Sequence, residues 1–139
     1  MAVAGHLVDK SAWARLTKPT VAQVVLPLLS AGRLAMCGMT ELEVLYSVRS
    51  AEEHCRVRLE LRGLERFTTP DEVWDRAVEV HSALAERGQH RAVAIPDLII
   101  AAVAEQHDIS VLHYDRDFDV IAEITGQPVE WVVQPGTAD

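Results

Sequence analysis

The sequence predicts an α/β protein, a three-layer α/β/α sandwich built around a mostly parallel central sheet. Two observations support this prediction. Short apolar segments recur along the chain, and helix-like segments with capping residues and terminal glycines lie between them. Strands that alternate with helices form a parallel sheet with helices on both faces. The 139 residues suit one domain, which we assign to residues 1–135, with a frayed tail over 136–139.

The first half of the chain contains two predicted strands and four predicted helices. Three of these helices begin near a capping box, in which Ser or Thr is followed three residues later by Glu or Gln. These pairs are Thr20–Gln23, Thr40–Glu43 and Ser50–Glu53. The predicted elements are a strand over 3–8 that runs into a short helix, a helix over 21–31, a strand over 34–37, and helices near 41–49 and 51–62.

The second half begins at a strong helix start, in which Thr69 is the cap, Pro70 takes the first position and two acids follow. Gly88 ends this helix, and its buried face is predicted from apolar residues at helical spacing: Val73, Ala77, Val80 and Leu84. Residues 98–104 are apolar nearly all round, so their helix is expected to be buried on most sides. The remaining predicted elements are a strand over 110–114, a helix over 117–125 and a strand over 129–133.

Charge and cysteine content narrow the functional classes. The net charge is −8, and residues 97–139 hold nine acids but only one base, Arg116. This balance disfavours broad salt-driven binding to nucleic acid and suits a site for divalent cations, although the charge taken alone is better explained by plain solubility. Cys37 and Cys55 lack metal-ligand spacing and are typical of free thiols in a cytoplasmic protein. No apolar stretch approaches the ~20 residues of a membrane helix.

Four carboxylates lie where the predicted strands end or the following helices begin: Asp9, Glu43, Asp97 and Asp115. Each one alone has a structural interpretation as a helix cap. In a parallel sheet, however, the carboxyl ends of the strands share one edge, so the four acids are expected to converge. Converging carboxylates need a counter-ion, and oxygen ligands without His or Cys favour Mg²⁺ or Mn²⁺ over zinc.

Four segments that contain these acids resemble, in this order, the motifs of PIN domains, and most closely those of VapC toxins from type II toxin–antitoxin systems. The segments are Asp9-Lys10-Ser11-Ala12, Leu42-Glu43-Val44-Leu45, Ile95-Pro96-Asp97-Leu98-Ile99-Ile100-Ala101 and His113-Tyr114-Asp115-Arg116-Asp117-Phe118. The resemblance covers nearly the whole chain, from the first strand to about Val133. It implies a Mg²⁺-dependent endoribonuclease, with Mn²⁺ as a substitute, which acts in the cytoplasm, forms a homodimer and is blocked by a VapB-like antitoxin.

The resemblance also implies roles for individual residues. Asp9, Glu43, Asp97 and Asp115 match the four catalytic, metal-binding acids, and Asp117 matches a fifth carboxylate present in many relatives. Glu41 is an alternative to Glu43, but Glu43 is followed by two apolar residues, as the family pattern requires.

Two positions depart from the family pattern: Lys10 stands where Thr or Ser is usual, and His113 stands where Thr is common. Lys10, Ser11 and Arg116 are candidate substrate-binding residues. Trp13 and residues 21–31 are candidates for the dimer interface. Two alternatives stay open: a housekeeping PIN nuclease that processes RNA, and a PIN module that binds RNA or a partner without cleavage.

Overall fold

The computed structural model describes residues 4–139 and contains a five-stranded parallel sheet in the order β3-β2-β1-β4-β5. The elements along the chain are β1 (His6–Val8), α1 (Lys10–Trp13), α2 (Pro19–Ser30), β2 (Leu34–Cys37), α3 (Gly38–Tyr46), α4 (Ala51–Leu61), β3 (Glu65–Phe67), α5 (Asp71–Glu86), α6 (Ile95–Gln106), β4 (Ser110–His113), α7 (Asp117–Thr125) and β5 (Val129–Trp131). The predicted three-layer α/β/α architecture is therefore confirmed.

Alternate residues of the central strands supply two separate cores, one on each face of the sheet. In β1, Leu7 joins the core formed with α5, α6 and α7, whereas Val8 joins the core formed with α1, α2 and α4. In β4, Val111 and Leu112 divide in the same way. This alternation follows from the two-residue period of a strand, and it fixes which side chains can reach the edge of the sheet.

Helix α6 is the most deeply buried helix of the fold. Every residue from Asp97 to Ala104 is buried, as the uniformly apolar sequence predicts. The side-chain amide of Gln127 donates a 2.8 Å hydrogen bond to the carbonyl of Ala101, which satisfies a buried backbone acceptor on this helix. Because α6 is held on all sides, the side chains of its first turn are held with it.

Several predicted boundaries are wrong, and the errors concern helix starts. Only the Ser50 capping box forms, with the Ser50 hydroxyl accepting from the Glu53 amide at 3.1 Å. Helix α2 begins instead at Pro19, without a side-chain cap, and α3 begins directly after β2 at Gly38. Pro70 precedes α5 as its cap rather than opening it. In each case the helix begins where the preceding segment leads into it, and not at the residue that the capping pattern predicted.

Strand β3 is absent from the sequence-based prediction. It is a three-residue strand at the edge of the sheet, where Glu65 and Arg66 are exposed and only Phe67 is half-buried. The run of apolar residues that usually marks a strand is missing here. An edge strand pairs with a single neighbouring strand and is only partly covered, so it needs few apolar side chains.

The predicted frayed tail is also wrong. Ala138 is 2% exposed, and the amides of Gly136 and Ala138 donate to the Tyr114 hydroxyl at 2.8 and 3.0 Å. The same hydroxyl donates to Asp139 at 2.7 Å. Residues 136–139 therefore pack onto the domain beside the end of β4.

The structure also bears on the cysteines and on membrane-spanning helices. Cys37 is buried and Cys55 is exposed, and both are free thiols. Within residues 4–139, every helix is too short or too polar to cross a bilayer.

Candidate active site

Carboxylates from five positions meet at the carboxyl-terminal edge of the sheet. Oxygen atoms of Asp9, Glu43 and Asp97 lie within 4.8 Å of one another, and so do oxygen atoms of Asp97, Asp115 and Asp117. The two groups share Asp97, which places this residue at the centre of the arrangement. Parallel strands β1 and β4 bring Asp9 and Asp115 to one edge, and the buried first turn of α6 supplies Asp97.

Four of these carboxylates, all except that of Asp117, line a cleft of about 300 Å³, which we call the acidic cleft. Its walls are formed by Asp9, Lys10, Ser11, Ala14, Arg15, Glu43, Ala94, Asp97, Tyr114 and Asp115.

Asp9 has both a structural role and a free oxygen. Its Oδ2 accepts from the backbone amide of Ser11 at 2.9 Å and from the Ser11 hydroxyl at 2.5 Å, which caps α1. Its Oδ1 is buried without a hydrogen-bond partner among the described residues. The Ser11 hydroxyl also accepts from the amide of Tyr114 at 2.8 Å, so Ser11 connects β1 to β4. Ser11 therefore orients Asp9, and it also lines the acidic cleft.

Glu43 lies in the cleft, whereas Glu41 does not. Glu41 forms a 3.1 Å ion pair with Arg66 on β3. Because α3 begins at Gly38, Thr40 is the third residue of the helix, where it contacts Cys37 instead of forming a capping box with Glu43. Glu43 is consequently free of a capping role, and its Oε1 is buried without a partner in the part of the chain that the structure describes.

Asp115 and Asp117 organise the start of α7. Asp115 Oδ1 accepts from the Asp117 amide at 2.9 Å, and Asp117 Oδ2 accepts from the amide of Ala94 at 2.9 Å. The second bond ties α7 to the residue that precedes α6. Asp117 thus joins the two segments that carry Asp97 and Asp115, and it presents an oxygen to both of these acids.

The electrostatics of the cleft favour protonated acids when no cation is present. Burial is the largest cause that raises the pKa of Asp9, and the Asp115 charge adds to it, against the hydrogen bonds from Ser11. Burial and the Asp9 charge raise the pKa of Glu43. Burial, the hydrogen bond with Asp117 and the Asp9 charge raise the pKa of Asp97 to about 9. These directions show that the positive charge in the cleft does not balance its carboxylates.

His113, the second departure from the family pattern, is fully buried and lies outside the acidic cleft. Its Nδ1 accepts from the Asp115 amide at 3.1 Å, and its ring lies 5.0 Å from the rings of Phe118 and Trp131. Burial lowers its pKa to about 4, so the imidazole is neutral near pH 7. His113 therefore holds the backbone of Asp115 and makes no direct approach to substrate.

Of the two basic residues predicted to bind substrate, one lies in the acidic cleft and the other does not. Lys10 lines the acidic cleft, and its charge partly offsets the raised pKa of Glu43. Arg116 is exposed before α7 and does not line the cleft. Sequence reasoning missed Arg15, which lines the cleft and donates to the carbonyl of Ser11 at 2.8 Å. The only sequence signal for it is its spacing of four residues from Ser11.

The donor set fits a hard divalent cation. Asp9 Oδ1, Glu43 Oε1 and Asp97 Oδ2 are buried without hydrogen-bond partners among residues 4–139, and they come from the three residues of the first carboxylate group. Buried oxygens are normally satisfied, so three converging exceptions indicate that another positively charged group completes the site. All these potential ligands are carboxylates, which are typical ligands of hard divalent cations.

A model of the PIN domain matches residues 6–124 of the chain. The chain is 55% identical to "Ribonuclease VapC21" of Mycobacterium tuberculosis over 134 residues, which cover 96% of this chain and 97% of that relative. The chain belongs to the VapC branch of the PIN-domain family. "Ribonuclease VapC51" of the same organism is 43% identical over an equally large share of both chains.

Solved VapC structures share the fold at lower sequence identity. A chain from the DNA-bound VapBC complex of Salmonella typhimurium superposes with a TM-score of 0.78 at 17% identity and covers 94% of this chain and 99% of its own length. A chain from VapBC-1 of nontypeable Haemophilus influenzae gives a TM-score of 0.75 at 18% identity and covers 96% and 100%. The expected VapC architecture therefore extends over nearly the whole chain.

Proposed function

We propose that the protein is the toxin of a type II toxin–antitoxin system, a divalent-metal-dependent endoribonuclease that inhibits translation by hydrolysing RNA. The observation that carries the proposal is the convergence of Asp9, Glu43 and Asp97, each of which has one buried carboxylate oxygen without a hydrogen-bond partner among residues 4–139. Two relatives that align with nearly the full chain are named ribonucleases. Mg²⁺ is the proposed cation, with Mn²⁺ as a substitute.

Residues of the chain prepare the acidic cleft for hydrolysis by water. Ser11 fixes one oxygen of Asp9 and leaves the other available, and the buried first turn of α6 holds Asp97. A bound divalent cation would supply a water of lowered pKa and offset charge on the phosphate. With water as the nucleophile, the expected products carry 5′-phosphate and 3′-hydroxyl ends, and the RNA 2′-hydroxyl takes no part.

The test is incubation of the purified protein with total RNA and Mg²⁺, followed by mapping of new 5′ ends. We expect discrete cuts that disappear with EDTA and in the Glu43→Gln variant. Glu41→Gln is a matched control, because Glu41 lies on the same helix but pairs with Arg66 outside the acidic cleft. Cuts that persist in Glu43→Gln, or that vanish equally in both variants, contradict the assignment of Glu43.

The same experiment separates the alternatives. Measured Mn²⁺ binding without any cut supports the PIN module that binds RNA or a partner without cleavage. Discrete cuts without growth inhibition in cells support a housekeeping nuclease for RNA processing. Discrete cuts together with growth inhibition that a neighbouring gene product relieves support the toxin. Action on RNA places the proposed activity in the cytoplasm.

The proposed partner is a VapB-like antitoxin that lies in an apolar groove beside the acidic cleft. Trp13, Leu16, Val44 and Val57 form the apolar part of this groove, which Glu53 and Glu60 also line and which meets the cleft at Lys10. The groove suits an apolar segment, and the cleft suits a basic side chain at the end of that segment. We expect an aspartate in place of Val57 to weaken co-purification with the neighbouring gene product while the RNA cleavage rate stays unchanged.

A homodimer is the proposed oligomeric state. Within the predicted interface over Trp13 and residues 21–31, Val21 and Val25 are buried in the chain, whereas Gln23, Leu26, Pro27, Ser30 and Ala31 are exposed and can meet a second copy. On α2, Leu26 is the exposed large apolar residue. Light scattering tests the proposal: the mass of two chains supports it and the mass of one chain contradicts it.

A further inference from the structure

Arg15 is the one cation of the acidic cleft whose position is fixed by several contacts. Its Nε donates to the carbonyl of Ala138 at 2.9 Å, and one terminal nitrogen donates to the carbonyl of Ser11 at 2.8 Å. The guanidinium carbon lies 4.4 Å from the centre of the Tyr114 ring. Two backbone carbonyls and an aromatic face therefore hold the group in place without neutralising its charge.

The contacts leave most of the binding capacity of Arg15 unused. A guanidinium carries five N–H donors, and two of them are used by Ser11 and Ala138. The other three have no acceptor within residues 4–139, and no carboxylate of this range lies at ion-pair distance from Arg15. Arg15 is half-buried and lines the same cleft as the site acids.

The charge balance of the cleft explains why such a residue is needed. Asp9, Asp97 and Asp115 repel an approaching phosphate, and a cation bound by these acids offsets only part of their charge. A fixed guanidinium with free donors suits a phosphodiester because its fork matches two phosphate oxygens. Lys10, by comparison, faces Glu43, whose pKa its charge lowers.

We propose that Arg15 binds a backbone phosphate of the RNA substrate beside the acidic cleft, and that residues 136–138 and Tyr114 position it for this contact. The Tyr114 hydroxyl accepts from the amides of Gly136 and Ala138, which brings the Ala138 carbonyl to Arg15. The inference rests on the proposed ribonuclease function, because it names the substrate group that this residue recognises.

The test uses a synthetic RNA oligonucleotide that carries the cleavage site mapped in total RNA, with KM and kcat measured at several salt concentrations. Arg15→Ala is expected to raise KM about 10- to 100-fold, the range for loss of a charge-assisted hydrogen bond. The slope of log KM against log salt should fall by about 0.7, the value for one phosphate contact on a single strand. Arg33→Ala is the matched control, since exposed Arg33 precedes β2 at the opposite edge of the sheet.

Two further variants separate charge from structure. Arg15→Lys keeps the charge but not the planar fork, so it should raise KM less than Arg15→Gln, which keeps a donor without the charge. Tyr114→Phe keeps the ring but removes the hydroxyl acceptor, so we expect a KM increase of about 2- to 10-fold. Equal KM values for the Lys and Gln variants would indicate a structural role and overturn the proposal.

Mn²⁺ binding to the same variants provides an independent readout. Removal of a nearby positive charge cannot weaken cation binding, so the Mn²⁺ Kd of Arg15→Gln should stay equal to or below that of the wild type. A higher Kd shows that Arg15 acts by shaping the acids, which contradicts substrate binding. If the wild type cleaves RNA and Arg15→Gln has unchanged KM, only this proposal fails. If the wild type neither cleaves RNA nor binds Mn²⁺, the proposed function fails with it.

Discussion

Replacement of Asp97 by Asn should stabilise the metal-free protein at neutral pH and abolish its response to divalent cations. Asp97 is 4% exposed and has an unpartnered buried Oδ2. Burial, the hydrogen bond with Asp117 and the nearby Asp9 charge raise its pKa from 3.8 to about 9. Asn retains the shape and a donor toward Asp117 but has no group to ionise.

The magnitude follows from the difference between the folded and unfolded pKa. Between pH 3.8 and about 9, folded Asp97 retains a proton that the unfolded chain has released. The unfolded state therefore binds fewer protons, and the free energy of unfolding of the wild type falls as pH rises through this window. At about 1.36 kcal/mol per pH unit, the loss reaches at most about 4 kcal/mol at pH 7. The Asn variant escapes this loss.

The assay is urea unfolding of the wild type and Asp97→Asn in EDTA, from acidic to mildly alkaline pH. We expect a stability difference that widens with pH in favour of Asn. Excess Mg²⁺ should stabilise the wild type by about 2.7 kcal/mol at a hundred times its Kd, and should leave Asp97→Asn unchanged. The exposed Asp75, replaced by Asn, is the control. A pH-independent difference, or a less stable Asp97→Asn at high pH, would refute the reasoning.

Three further predictions concern the framework of the site and the core. Ser11→Ala removes the hydroxyl that holds Asp9, so we expect a loss of about 1–3 kcal/mol in urea unfolding and a lower kcat for RNA cleavage; an unchanged kcat would contradict it. Ile100→Ala opens a cavity at a fully buried position and should lower the free energy of unfolding in urea by about 2–5 kcal/mol. A loss below about 1 kcal/mol would contradict the tight packing around Ile100. Gly126 ends α7 with a φ of 70°, so Gly126→Ala should lower the free energy of unfolding by about 1 kcal/mol. Gly5→Ala is the control: its added Cβ meets no atom within 4 Å and the position needs no positive φ, so this change should be nearly neutral.

The fold and the position of the site could be predicted where the sequence shows a periodic apolar pattern or where a rule of sheet topology applies. The buried face of α5 and the buried stretch 98–104 of α6 followed from the apolar pattern alone. The meeting of Asp9, Glu43, Asp97 and Asp115 followed from the rule that parallel strands end at one edge. The resemblance to VapC toxins added the choice of Glu43 over Glu41, and the ion pair of Glu41 with Arg66 agrees with that choice.

Other features depend on contacts that no local pattern reveals. The Thr40 capping pair fails because α3 starts directly at the end of β2, so tertiary context overrides the local signal. The tail over 136–139 looks polar and unstructured, yet it is held by Tyr114. Arg15 reaches its Ala138 acceptor across 123 residues of sequence, a distance at which spacing carries no information.

The end groups of the cleaved RNA test most directly the central claim that an acidic metal centre activates water. Fragments produced by the wild-type protein with Mg²⁺ can be offered to an RNA ligase that accepts 5′-phosphate ends, without prior treatment by a kinase. The account predicts that the fragments carry 5′-phosphate and 3′-hydroxyl groups and join at once. Fragments with 5′-hydroxyl and 2′,3′-cyclic phosphate ends would show attack by the RNA 2′-hydroxyl, which would contradict the account.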